Sequence, residues 1–177
     1  PEDAIKWGLY SFKAQSGTDF TSKLIHKSIC ANGGGTYANG KLYFTSYYEG
    51  MDGNLGYLYF CVLDLATMNM NQIALHSDYY TSIATDMTYD PVGNTIYSQA
   101  YPDDANTSTD GKYTLSTVNP ATGIASRIAQ LDRMSMIACD ESGNLYGVRY
   151  NDGMFCSIDK QTAKVKEIGL TGVNPKY

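Results

Sequence analysis

Four cysteines, at positions 30, 61, 139 and 156, and two histidines, His26 and His76, are the residues of this 177-residue chain best suited to metal or nucleophile chemistry. Zinc and similar ions need clustered ligands at short spacing, and no Cys-x-x-Cys pair occurs. No metal centre and no cofactor are therefore expected. Cys61 and Cys156 each follow a phenylalanine, Phe60 and Phe155, and read as small buried thiols in packed strands. Cys139 with Cys156 is the pair to test first for a disulfide, and the redox state of Cys30 is left open. Neither histidine adjoins a recognisable nucleophile, and no Gly-x-Ser-x-Gly elbow is present.

Three further segments imitate functional motifs. Gly33-Gly34-Gly35-Thr36-Tyr37-Ala38 fits the Gly-x-Gly-x-x-Ala form of a dinucleotide loop. That loop works only where a helix follows it and points its N-terminus at a pyrophosphate. Here Asn39-Gly40 makes a turn at once, so these glycines are expected to admit a strand into a crowded place. Asp90 and Asp140 resemble the carboxylate pair of a glycosidase. Their recurrence at one motif position argues instead for turn-forming aspartates. Asn106-Thr107-Ser108-Thr109-Asp110-Gly111 spaces oxygens as a calcium loop does, yet the twelfth position is Thr117 rather than glutamate. An exposed polar loop is expected there.

The elements that must position these residues emerge from an internal repeat. Val118-Asn119-Pro120-Ala121-Thr122-Gly123 aligns with Ile158-Asp159-Lys160-Gln161-Thr162-Ala163 and with Leu63-Asp64-Leu65-Ala66-Thr67-Met68. Phe12-Lys13-Ala14-Gln15-Ser16-Gly17 is a fainter copy. Ahead of the later copies stands a second motif: Asp90-Pro91-Val92-Gly93-Asn94, Asp140-Glu141-Ser142-Gly143-Asn144, and a shortened Asn39-Gly40. In both motifs an Asp or Asn side chain can accept local backbone N–H groups while a glycine takes positive φ. One unit reads strand, tight turn, strand, variable loop, strand, tight turn, strand. In the last unit the strands fall near Ser135–Asp140, Leu145–Tyr150, Met154–Asp159 and Ala163–Gly169.

Tyr-Asp-Pro-x-Gly-Asn-x-Ile-Tyr, followed by Leu-Ser-Thr-Val-Asn-Pro-Ala-Thr-Gly, resembles the blades of secreted or lipid-anchored β-propellers of Gram-negative anaerobes. The resemblance implies an all-β fold of about three and a half four-stranded antiparallel blades, an incomplete ring. The units run 1–29 (partial blade), 30–76, 77–130 and 131–170, with 171–177 starting another. It also implies export to the periplasm, cell surface or exterior through a removed signal or a lipid anchor. An open arc leaves strand edges and end faces bare. The expectation is that the rest of a longer chain, or self-association, completes the propeller.

The tight turns of such a repeat share one rim, and the variable loops share the other. Ser46–Asn54, His76–Tyr80 and Tyr101–Asn106 are the long loop segments, whereas the last unit keeps only Asn151-Asp152-Gly153 behind Arg149 and Tyr150. Long loops on one face of a repeat array mark its binding face. Tyr47, Tyr48, Tyr79, Tyr80, Tyr101, Arg149 and Tyr150 are the candidate binding residues, because tyrosine offers a flat apolar plate with a hydroxyl. A net charge of −5 excludes a nucleic-acid partner. No apolar run reaches the roughly 20 residues of a membrane helix. The expected function is non-catalytic recognition of a carbohydrate or protein. A propeller hydrolase or lyase with catalytic residues partly elsewhere, and a structural spacer, are the alternatives.

Overall fold

The computed structural model of the chain describes residues 8–13, 22–27, 33–49, 55–75, 84–100 and 112–173. Among them every regular element is a strand. β1 (Gly8–Phe12) and β2 (Ser22–Lys27) form a two-stranded ribbon. β3 (Gly35–Ala38), β4 (Lys41–Glu49), β5 (Leu55–Asp64) and β6 (Met70–Leu75) form a first four-stranded antiparallel sheet. β7 (Ala84–Asp90), β8 (Thr95–Ala100), β9 (Lys112–Val118) and β10 (Ala125–Asp132) form a second. β11 (Met134–Cys139), β12 (Leu145–Arg149), β13 (Met154–Ile158) and β14 (Val165–Leu170) form a third. Each sheet runs in chain order, and the first strands β3, β7 and β11 lie side by side. These are three propeller blades and a half-blade, and the ring is open.

Strand alternation explains how the blades stack. Tyr43 packs toward the second blade, stacking on Phe60 at 6.1 Å, while its neighbour Phe44 points the other way. Phe44, Cys61 and Leu63 meet Leu9 and Ile25 of the ribbon. Met87, Ile96 and Val118 complete the core between the first and second blades. Leu115, Leu131, Ile137, Leu145 and Ile158 fill the core between the second and third.

Polar side chains then stitch the inner strands. The free N–H groups of β11 are capped by the second blade: Met134 by Gln99 Oε1 (2.6 Å), Ile137 by Asp86 Oδ2 (2.6 Å) and Cys139 by Thr88 Oγ1 (2.8 Å). A buried N–H left without an acceptor would cost about 1–3 kcal/mol, so these three bonds keep the blade edge from being a liability. Burial pushes the Asp86 carboxyl up, against the lowering effect of the Ile137 and Met87 N–H groups.

The turns behave as the repeat implies. Asp64, Asp140 and Asp159 each accept two nearby backbone N–H groups through Oδ1, and Asn119 accepts one. Gly143 has φ +78, as expected, and in the other turn motif φ is positive at the mutually equivalent Met68, Gly123 and Ala163. One expectation needs correction. In the second blade the positive φ falls on Asn94 rather than Gly93: there Asp90 itself pairs with Thr95 around a four-residue turn, whereas in the third blade Cys139 pairs with Leu145 around five residues.

A second correction concerns Ser46–Asn54. Residues 46–49 continue β4, pairing Ser46 with Tyr59, Tyr47 with Leu58 and Tyr48 with Tyr57.

The third blade turns Met136, Val148 and Phe155, paired across β11, β12 and β13, away from the second, together with Tyr146 two residues before Val148. Met136 is 56% exposed, and Tyr146 and Phe155 stack at 5.4 Å on this open face. A patch of this kind promotes association. Light scattering of the chain alone should therefore give a mass above 19.4 kDa that rises with concentration, and Phe155→Glu should lower it. A concentration-independent monomer would contradict this.

Candidate functional site

The short turns all lie at one end of the blades, and the connections β4–β5, β6–β7, β8–β9, β10–β11 and β12–β13 lie at the other. The turn end is occupied by structural bonds. Asp90 is 1% exposed, and its Oδ1 accepts the N–H groups of Val92 and Gly93. Lys160, from the β13–β14 turn, reaches across to Asp90 Oδ2 at 2.6 Å and to the Gly143 carbonyl at 2.7 Å. Burial pushes the Asp90 carboxyl up, but the Gly93 N–H, the Lys160 ammonium and the Val92 N–H together hold it below the usual value. Asp140 is likewise held low by the side chain and N–H of Asn144. Both aspartates serve turns, and a glycosidase pair is not what they form.

The glycine run also resolves. Gly33 and Gly34 lead into β3, with no helix after them, and Gly34 N–H donates to the Ala84 carbonyl at 3.2 Å. A side chain at Gly34 would meet the Asp86 backbone, 2.3 Å from its Cα. The segment lets β3 touch β7. Cys61, Cys139 and Cys156 are free thiols. Cys139 and Cys156 stand on β11 and β13 with β12 between them, roughly two strand spacings apart, beyond disulfide reach. Burial pushes Cys61 and Cys139 up to about 11, far from nucleophile behaviour at neutral pH. Among the described residues no three His, Cys, Asp or Glu side chains come together as a metal site. No helix there is long and apolar enough to cross a membrane.

The loop end is where the structure concentrates unused chemistry. Thr85, Gln99, Tyr113, Arg133, Ser135 and Tyr150 line a cleft of about 220 Å³ between the second and third blades. Arg133 occupies the one-residue connection from β10 to β11. Its guanidinium carbon lies 3.7 Å from the centre of the Tyr150 ring and 5.5 Å from that of Tyr113. Its carbonyl accepts the Tyr150 N–H at 2.9 Å. Gln99 grips the next residue from both sides, accepting the Met134 N–H and donating to the Met134 carbonyl at 2.9 Å. Backbone and ring contacts thus fix where this cation sits.

Of the residues singled out in the sequence, Tyr150 lines this cleft. Arg149 lies one residue before it but is engaged elsewhere, forking between Asp152 (2.6 Å) and Glu167 (2.7 Å). Those two carboxylates raise its pKa further. Tyr47 and Tyr48 lie at the loop end of β4, their side chains outside the described set. Tyr79, Tyr80, Tyr101, His76, Cys30 and the calcium-like segment 106–111 lie outside the described residues. Arg133, Tyr113, Thr85 and Ser135 were not singled out. Their signal was the Arg-Met-Ser junction between two repeats, in the shortest connection on the rim.

In sequence, the chain matches no family model and no curated protein. In shape it matches solved propellers. The β-propeller domain of the Trilobed protease from Pyrococcus furiosus, of open velcro topology, aligns over 80% of this chain and 43% of its own, at TM-score 0.50 and 11% identity. TolB from Acinetobacter baumannii aligns over 87% and 36%, at TM-score 0.53 and 15% identity. XC5397 from Xanthomonas campestris, a gluconolactonase, aligns over 92% and 56%, at TM-score 0.53 and 12% identity. The chain spans roughly a third to a little over half of the length of these structures. At such identities the likeness concerns architecture, and the architecture is that of a β-propeller arc.

Proposed function

We propose that this propeller arc is a recognition module whose loop rim binds a carbohydrate or protein ligand without chemical turnover, in an exported protein. The observation carrying this reading is the cleft between the second and third blades. There the Arg133 guanidinium lies over the Tyr150 ring and near Tyr113, in a cleft also lined by Thr85, Gln99 and Ser135, with its backbone fixed in advance. Pre-organised polar groups of this kind reduce the ordering cost of binding. The acidic residues at the opposite end hold turns, which favours binding over catalysis. The rim tyrosines Tyr47, Tyr48, Tyr79, Tyr80 and Tyr101 would extend the same surface. The resemblance of the repeat to secreted propellers supports the exported setting.

A glycan array and a peptide array, read with the unaltered chain and with Tyr150→Ala, test the reading. The expected result is a discrete set of array hits lost in the variant, with a melting temperature changed by only a few degrees. Loss of binding solely through unfolding, or no hits on either array, would overturn it.

A further inference from the structure

The described cations of the blades differ in how their charge is used. Arg149 is neutralised by Asp152 and Glu167, and Lys160 by Asp90. Arg133 is different: among the described residues no carboxylate lies within ion-pair distance of its guanidinium, and no acceptor meets its N–H groups. Its guanidinium carbon lies over the Tyr150 ring at a stacking distance of 3.7 Å, with the Tyr113 ring farther off at 5.5 Å. Stacking uses the faces of a guanidinium and leaves the in-plane fork of N–H donors at its edge, which matches a carboxylate with two parallel bonds.

Size and lining narrow the ligand. The cleft, at about 220 Å³, is below the roughly 300–1,000 Å³ of sites for drug-sized molecules, so it suits one ring. Ser135, Tyr113 and Tyr150 are hydroxyl-bearing residues of its lining, beside Thr85, whose hydroxyl donates to the Gln99 carbonyl and accepts from the Gln99 side-chain amide. Such a wall suits a polyhydroxylated ring better than an apolar side chain. The overall charge of −5 repels a polyanion, but a single carboxylate seated on Arg133 lies well inside the screening length of about 8 Å.

We propose that this cleft binds the carboxylate of an acidic sugar residue, with Arg133, seated over the Tyr150 ring, as its partner. The proposal rests on the recognition reading above and sharpens it to one ligand chemistry.

D-Glucuronate and D-glucose differ at carbon 6 alone, carboxylate against hydroxymethyl, and N-acetylglycine supplies a carboxylate without a sugar. Titrating all three by ligand-observed NMR against the unaltered chain, Arg133→Gln and Arg133→Lys tests the proposal. The expected result is glucuronate bound at least tenfold tighter than glucose and tighter than N-acetylglycine. That preference should fall to within twofold in Arg133→Gln and survive in part in Arg133→Lys. Should Arg133→Gln fail to fold, the three-ligand ranking on the unaltered chain decides alone. Equal binding of glucose and glucuronate, a preference that survives in Arg133→Gln, or N-acetylglycine bound as tightly as glucuronate would each overturn it. If the arrays still show hits on other ligands in that case, the recognition reading stands and this inference falls. Silence in both experiments overturns both.

Discussion

Gly34→Ala should separate the first blade from the second. A Cβ at this position would lie 2.3 Å from Asp86 Cα, 2.5 Å from its carbonyl carbon and 2.7 Å from its nitrogen. All three are backbone atoms of β7, so no side chain can swing aside to make room. Relief requires β3 to move outward, which breaks the bond from Gly34 N–H to the Ala84 carbonyl and the bond from Thr45 N–H to Gly34. It also loosens the core of Met87, Ile96 and Phe60 behind it. Overpacking alone costs about 1–3 kcal/mol, and the lost bonds add to it. The expected total is about 3 kcal/mol or more, or roughly 6–12 °C of melting temperature in a chain of this size. Gly169→Ala is the control, because nothing lies within 4 Å of its added methyl; it should shift stability by about 0.5 kcal/mol or less. If Gly34→Ala melts within a degree or two of the unaltered chain, the close approach of β3 and β7 is not what these glycines serve.

The same glycines show what a sequence of this type reveals. Gly33 and Gly34 were recognisable as packing residues because a turn, not a helix, follows them. The aspartate and asparagine turns were equally legible, since each copy satisfies its own backbone within four residues. Interactions confined to a turn can be read from local residue types. Interactions between blades cannot. Lys160 finds Asp90 seventy residues away, and nothing near either residue announces the other. The available hint was that Lys160 stands where the other copies carry Leu65 and Pro120, a charge at a turn position that needs none.

Arg133 escaped notice for a related reason. Loop length ranked the rim segments, and the connection that carries Arg133 is a single residue long. Its neighbours in the cleft come from the starts or ends of β7, β8, β9, β11 and β12, scattered over 66 positions from Thr85 to Tyr150. Only the stacking of blades brings them together. Long loops announce variability, whereas a short loop between two packed blades offers a fixed platform, and positional precision is what a small ligand requires.

Lys160→Met should destabilise the junction of the second and third blades, with an effect that depends on pH in a defined direction. Asp90 is buried at 1% exposure, whereas Lys160 is 32% exposed. Removing one partner of a fully buried pair costs about 3–5 kcal/mol. Solvent near the lysine position and the Val92 and Gly93 N–H groups compensate in part, so about 2 kcal/mol is expected at neutral pH, or roughly 4–8 °C. Asp90 has a folded-state pKa below its ordinary value of 3.8. A group so depressed contributes stability above its unfolded pKa and loses it as pH falls through the folded one. Without the ammonium, burial is opposed only by the two N–H groups, so the carboxyl titrates higher and has less to lose in acid. The gap between the two proteins should therefore be widest above about pH 5 and close progressively toward about pH 2. Asp64, Asp140 and Asp159, held low by their turns, and Asp152, held low chiefly by Arg149, are shared by both proteins and cancel in the difference. Asp86, raised by burial, works with the opposite sign and cancels likewise. Melting curves of the two proteins across that range measure the gap directly. A gap that stays constant from pH 7 to pH 2 would mean that Lys160 acts through the packing of its stem and not through Asp90.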